Sequence, residues 1–424
     1  MKQNEQKREE VEQVPSILAK RKLFAGDRVL WIIVTMLFAI SIVVVYSGVA
    51  KVGFTDGGSP NNFLKKHIII LGLSAIIMAV CYLFKATWFR KLTWLAYIGS
   101  WVATLVPYFM TSTLNDAHRW INLGFIQFQP SELLKIATIM LLASRLSARS
   151  QSLGTLHLLP ATFDVRKWGG DTHRNIILHE VLPVVLPIAL TCMVILPAHT
   201  SSAIHIYFIS MVLLFIAGIR FSEIAKLTLL AGVLGLAVIF TIGRGDTVVN
   251  RVKVFCGVAK ADTTKLFMGK YSDSDLSRMA IQSGGVFGKG AGRSVMRARL
   301  MHPESDYIFA IVIEEFGLIL SFVIVLLYLW LFFRSLRIFE RCEWLYAGLL
   351  VVGLALLITS QGFLHIGVVI GAIPETGQNL PFITQGGTSM VCTAIAIGII
   401  LSISRQVDQG TILPPTKRNN NRLI

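Results

Sequence analysis

The chain is poor in charge: only 15% of its 424 residues are Asp, Glu, Lys or Arg, while 54% are hydrophobic and the mean hydropathy is +0.65. Soluble domains carry about 25% charged residues, so this composition excludes an ordinary soluble globule and places the chain among polytopic membrane proteins. Acids are scarcer still, 24 against 40 bases, for a formal net charge of +16. The bases are spread over loops between apolar runs rather than gathered on one soluble face, which excludes a nucleic-acid-binding domain. Five cysteines occur without any CxxC spacing, and only Cys256 falls on the side read below as external, so an external disulfide framework within one chain is excluded. The first 28 residues are polar and mixed in charge and the apolar run after them is long enough to span, so a cleavable signal peptide is not expected and the first span serves as its own insertion signal.

What is abundant is long apolar runs. A span needs about 20 apolar residues to cross roughly 30 Å, and ten runs qualify, near 29–48, 67–84, 93–110, 131–147, 178–197, 200–218, 226–243, 307–333, 345–369 and 386–404. The expected fold is therefore an all-α polytopic membrane protein of about ten transmembrane helices. Bases such as Lys20, Lys85, Arg90, Arg145, Arg166, Arg220, Arg334, Arg337 and Arg405 share one side, which the positive-inside rule makes cytoplasmic and which puts both termini inside. The chain then divides into a polar tail 1–27, one membrane domain 28–405 and a second polar tail 406–424, without internal repeats. The stretch 244–306, between the seventh and eighth spans, is a large external loop that holds eleven Lys or Arg. Long loops are exempt from the topology rule, so these bases suit either a phosphate-bearing ligand at the membrane surface or anionic lipid headgroups.

Three Pro/Gly-rich segments adjoin spans on the outer face: 118–132 (HRWINLGFIQFQPSE), 282–293 (QSGGVFGKGAGR) and 371–389 (GAIPETGQNLPFITQGGTS). Irregular backbone at membrane depth survives only against protein or a water-filled cavity, so the three predict one shared external site. Into it leads the segment 302–317, HPESDYIFAIVIEEFG, where Asp306 opens an apolar run that carries Glu314 and Glu315. A carboxylate inside the hydrocarbon costs about 3 kcal/mol or more unless protein or water receives it. Asp306 reads either as a helix N-cap or as a proton acceptor at a helix mouth, and the two roles are compatible. Glu314 and Glu315 lie about 80° and 180° round the helix from Asp306 and read first as buried partners of bases on other spans. Pro130, Ser131 and Glu132 suit a helix start. Trp120, beside Arg119, reads as an interfacial belt tryptophan or as a flat face for a ligand. The run 282–293 matches no nucleotide-binding motif, but its backbone N–H groups could form an anion nest beside Lys289 and Arg293.

Taken together, RWINLG…FQPSELLKIA, RVKVF at 251–255, QSGGVFGKGAGRS, HPESDYIFAIVIEEFG and IGAIPETGQNLPFITQGGTS, in this order over about residues 28 to 404, resemble the SEDS family, the FtsW/RodA peptidoglycan glycosyltransferases, with FtsW the nearer by AGDRVLW at 25–31 and the GGTS ending. The resemblance implies polymerisation of lipid II at the outer face of the bacterial cytoplasmic (inner) membrane, in cell division or in elongation. It implies Asp306 as the catalytic residue and Trp120 as a functional tryptophan. Arg119, Glu132, Lys135, Gln282, Ser283, Lys289, Arg293, Arg297 and Arg299 are then candidate substrate-binding residues, with Glu314, Glu315, Gly386 and Gly387 supporting them. It also implies lipid II and an undecaprenyl-linked glycan chain as ligands, a class B penicillin-binding protein and other division or elongation proteins as partners within membrane lipid, and a divalent metal (Mg or Mn). No His/Asp ligand cluster in the sequence shows that metal. Departures from the family pattern are local. MHPESDY stands for LPEAHTDF, PAHTSS at 197–202 for PDxGT, His365 for an asparagine, Glu375 for the valine of PVTG, and TQGG at 384–387 for SYGG or SMGG. Glu375 thereby becomes a second external carboxylate and the rival of Asp306. A flippase for a lipid-linked precursor and a non-catalytic scaffold for a transpeptidase are the competing classes, and the fate of an Asp306→Asn variant separates them.

Overall fold

A computed structural model describes residues 26–55, 60–109, 120–122, 127–150, 181–241, 245–256, 273–300, 303, 305–384 and 387–412. Most of both polar tails and the inner loop 151–180 lie outside these residues. The regular structure of the described residues is helical apart from one hairpin of two-residue strands. Its elements are α1 (Arg28–Thr55), α2 (Pro60–Leu83), α3 (Ala86–Phe109), β1 (Ile121–Asn122), β2 (Gln127–Phe128), α4 (Pro130–Ala148), α5 (Leu182–Ile195), α6 (Thr200–Ile216), α7 (Phe221–Thr241), α8 (Gly245–Phe255), α9 (Asp273–Gly284), α10 (Ile308–Glu340), α11 (Leu345–Val369) and α12 (Gly387–Asp408). Seven of these helices (α1–α3, α7 and α10–α12) are long and apolar enough to cross a bilayer, and the shorter apolar α5 and α6, with α4, stand at the positions of the other three expected spans. The chain is a multi-pass, all-α membrane protein.

Helices α4, α11 and α12 form the centre. Leu134, Ile139, Leu142, Leu349, Leu354, Ile397 and Ile400 have almost no exposed surface, while α7 turns Leu229, Val233 and Phe240 outward. Lipid tails give no hydrophobic drive for helix association, so close approach depends on small residues. At Gly398 an added Cβ would lie 2.6 Å from the Cys81 side chain and 2.7 Å from the Met78 carbonyl, which is how α12 comes to lie against α2. Toward the same end, residues the sequence reading assigned to the polar tail are docked: the Asp27 amide donates to Ser404 Oγ at 2.8 Å and its carboxylate pairs with Arg334. Helix α12 also continues to Asp408, past the expected boundary at 405.

Two pieces of non-helical backbone run inside the bundle, and protein satisfies both. Helix α10 is broken at Gly317 (φ 75°, ψ −174°). There the Glu314 and Glu315 carbonyls accept from the amides of Lys289 and Gly290, each at 2.9 Å, and the amide of Leu318 donates to Gly285 O at 3.1 Å. The segment 371–384 dips back among the helices, with Leu380, Phe382 and Ile383 buried. Its carbonyls at 378, 379, 381 and 382 accept from His365, Gln361, Tyr328 and Ser41 at 2.7, 3.3, 2.5 and 2.5 Å. Each orphan acceptor thus finds a donor on a neighbouring span, the condition for irregular backbone at this depth.

Candidate functional site

One end of the bundle is assembled around the start of α10. Asp306 is half-buried in the turn before the helix and is not its N-cap. That position belongs to Tyr307 (φ −125°), whose side chain makes no capping bond, so α10 begins one residue later than a cap at Asp306 requires. Tyr307 is nearly buried, and its hydroxyl donates to Glu375 Oε1 at 3.0 Å. Burial and the nearby carboxylates of Glu375, Asp273 and Asp306 hold its phenol far above the usual tyrosine range, so it serves as a hydrogen-bond donor. Arg251, from the RVKVF segment in α8, donates to the Glu375 carbonyl at 3.1 Å, and Ser277 of α9 donates to Val369 O at 2.8 Å. The Arg278 guanidinium packs on Gly371, where a Cβ would lie 2.7 Å from it. The stretch 244–306, the α10 mouth and the segment after α11 therefore meet.

The segment before α4 joins the same end. Thr388, at the start of α12, donates its hydroxyl to Gln127 O at 2.5 Å and accepts from the Gln129 amide at 3.1 Å, which pins the β1–β2 hairpin to the GGTS ending. Half-buried Trp120 leads into β1. Arg119 and Gly386 lie outside the described residues, and Gly387 is the first residue of α12. Of the three segments expected to share one site, 118–132 and 371–389 are thus in contact, whereas 282–293 is docked on α10 at Glu314 and Glu315.

The other candidates divide by burial. Glu314 is fully buried and accepts from Lys289 Nζ at 2.8 Å, Val295 N at 3.1 Å, Met296 N at 3.3 Å and the Ser294 hydroxyl. Glu315, equally buried, meets Arg297 Nη1 at 3.2 Å, Ser294 N at 3.3 Å and the Ser47 hydroxyl. The glutamates do pair with bases, but these come from the external loop and not from other spans, because the break at Gly317 admits that loop into the bundle. The same docking turns two of the nest amides, Lys289 and Gly290, toward α10 carbonyls and not outward. Lys289 and Arg297 are held in these pairs, whereas Arg293, Arg299, Gln282 and Ser283 are exposed, with Ser283 Oγ also donating to Ala280 O at 3.0 Å. Glu132 and Lys135 form a 2.8 Å ion pair within α4, the lysine side chain fully buried. Among the described residues no three His, Cys, Asp or Glu side chains are grouped to hold a metal ion. Sequence reading passed over Tyr307, Ser294 and Ser47. The tyrosine's place beside Asp306 was the available signal for it, and nothing local marks the serines.

Residues 27–409 match a family model described as "Cell cycle protein", built on FtsW, RodA and SpoVE. The chain is 30% identical to the "Probable peptidoglycan glycosyltransferase FtsW" of Coxiella burnetii over 89% of this chain and 96% of that one. It is 29% identical to stage V sporulation protein E of Bacillus subtilis, covering 91% and 98%. A chain of a solved peptidoglycan synthase complex, in which polymerization and crosslinking are coordinated, superposes with a TM-score of 0.67 at 21% identity, over 91% of this chain and 99% of that one. With the match running from the docked Asp27 through the assembly at the start of α10 to the end of α12, the chain belongs to the FtsW/RodA/SpoVE family of cell cycle proteins.

Proposed function

We propose that this chain is a peptidoglycan glycosyltransferase that polymerises lipid II at the outer face of the bacterial cytoplasmic membrane, with both termini inside. The observation that carries the reading is the match, over nine-tenths of the chain, to relatives named as peptidoglycan glycosyltransferases. The outer-face assembly around a half-buried aspartate supports it. In this reading Asp306 takes the proton from a sugar hydroxyl of one lipid-linked substrate as the hydroxyl oxygen attacks the anomeric carbon of the other. The bond from that carbon to the pyrophosphate oxygen breaks, the configuration inverts, and undecaprenyl pyrophosphate leaves. In the same reading the exposed loop bases Arg293 and Arg299 receive the departing negative charge, and Trp120 offers a flat face to a sugar. Lys289 and Arg297, neutralising Glu314 and Glu315, hold the loop in place instead.

The described residues do not group as a ligand set for a divalent ion, and no step is routed through one. The FtsW names among the relatives favour a role in division with a class B penicillin-binding protein as partner, and depletion is then expected to give filaments, whereas round cells would assign the chain to elongation. The decisive assay incubates the purified chain and its partner transpeptidase with lipid II and divalent metal, beside an Asp306→Asn preparation. Polymer from the wild type alone is the expected result. Polymer from both would move the base to Glu375, and polymer from neither would favour transport or scaffolding.

A further inference from the structure

Helix α10 starts without a side-chain cap and without an acid in its first turn, so neither of the usual local devices fixes its first residues. A tie to the turn that carries Asp306 comes from the Tyr307 hydroxyl bond to Glu375 Oε1 at 3.0 Å, and Glu375 is in turn gripped through its backbone carbonyl by Arg251 at 3.1 Å. Beyond Glu375 the segment is anchored on the start of α6: Ser201 Oγ donates to Thr376 O at 2.8 Å, and Gln378 donates to Ser202 Oγ at 2.9 Å. A rigid strip of backbone therefore presents one carboxylate to the residue adjoining Asp306. The phenol is nearly buried, so its bond is made away from bulk water, where a missing partner costs most.

We propose that Glu375 is a positioning residue for Asp306, acting through the Tyr307 hydroxyl, with Arg251 holding Glu375 and thereby coupling the amphipathic helix α8 to the same turn. This rests on the polymerase reading for its consequence and on the hydrogen bonds for its existence. Misplacement of a catalytic group by about 1 Å costs on the order of a hundredfold in rate. Loss of the tie therefore acts on turnover, while the half-saturating lipid II concentration, set by groups that touch the substrate, stays put.

The test is a set of four variants, Tyr307→Phe, Glu375→Ala, Glu375→Gln and the Tyr307→Phe/Glu375→Ala double, each assayed for polymer against lipid II concentration. Tyr307→Phe and Glu375→Ala are expected to lower maximal turnover about tenfold to a hundredfold. The double variant should be no worse than either single, because both remove one interaction. Glu375→Gln keeps an acceptor oxygen and should recover most of what alanine loses. A change in the half-saturating concentration with turnover intact, a glutamine as poor as the alanine, or additive losses would overturn the proposal in favour of Glu375 touching substrate. A second readout needs no polymer: in a Cys256→Ser background, the thiol introduced by Asp306→Cys is labelled with a membrane-impermeant maleimide. Its rate should change several-fold with Tyr307→Phe or Glu375→Ala and return with Glu375→Gln. If the wild type makes no polymer while the labelling follows this pattern, the polymerase reading falls and the positioning of residue 306 stands. Labelling that ignores all three substitutions overturns the inference.

Discussion

Two glutamates one peptide bond apart are carried fully out of water in this protein, and each is met by a cation from the same loop. A buried ion pair is weak support for stability when replaced whole, but breaking it from one side strands a charge and costs about 3–5 kcal/mol. The four loop bases near the site should therefore separate into two groups. Glu315→Ala takes the carboxylate away from the buried Arg297 guanidinium and is expected to lower the melting temperature of the detergent-solubilised protein sharply. Arg299→Ala, at an exposed position, should stay within about 0.5 kcal/mol of wild type and lose affinity for lipid II instead. Equal melting of the two variants would undo the division. That Glu314 and Glu315 need partners was legible in the sequence, since an unpaired intramembrane carboxylate is too costly to leave alone. Which bases serve was not, because Lys289 and Arg297 reach them only through a kink that no charge pattern announces.

That kink sets the element scale. Gly317 sits in an apolar run that reads as uninterrupted helix, and isolated glycines are tolerated in helices at about 1 kcal/mol, so periodicity gave no reason to stop there. In the structure three glycines interlock. A Cβ at Gly284 would lie 2.2 Å from Ile313 O, one at Gly288 would lie 2.3 Å from Glu315 O, and one at Gly317 would lie 2.2 Å from Val286 O. Backbone, unlike a flexible side-chain end, cannot yield to such contacts, and Gly288 and Gly317 also have φ of +77° and +75°. Gly317→Ala is accordingly expected to expel the glycine loop, breaking both glutamate pairs together, and to abolish recovery of folded protein on size exclusion. Gly285→Ala, with φ +60° but open space around the added methyl, should cost only about 1 kcal/mol and leave the protein folded. A Gly317→Ala protein that folds and melts like wild type would show that the loop does not depend on the break.

At the scale of the molecule, the ten spans were legible because lipid imposes a length and an apolarity that any sequence must meet. How they pack was not, since α7 and α11 are similarly apolar and yet one faces outward along most of its length and the other is the middle of the bundle. Only contacts such as the Gly398 approach and the donors to the 371–384 carbonyls distinguish inside from outside, and those depend on pairs of helices distant in sequence. Orientation across the membrane, by contrast, rests on loop charge, and the cysteines provide the means to measure it. Cys256 is exposed just beyond α8, Cys342 is half-buried between α10 and α11 at the opposite end, and burial pushes the Cys342 thiol up to about 12, so that its reactive thiolate is scarce. A membrane-impermeant maleimide applied to intact spheroplasts should therefore label the protein, and Cys256→Ser should remove that label. Permeabilisation should add only slow labelling at Cys342. Were the Cys256→Ser protein labelled as fast as wild type without permeabilisation, the basic loops would be facing outward. Asp306, Glu375 and the glycine-loop assembly would then open to the cytoplasm, where a polymer destined for the cell wall cannot be made.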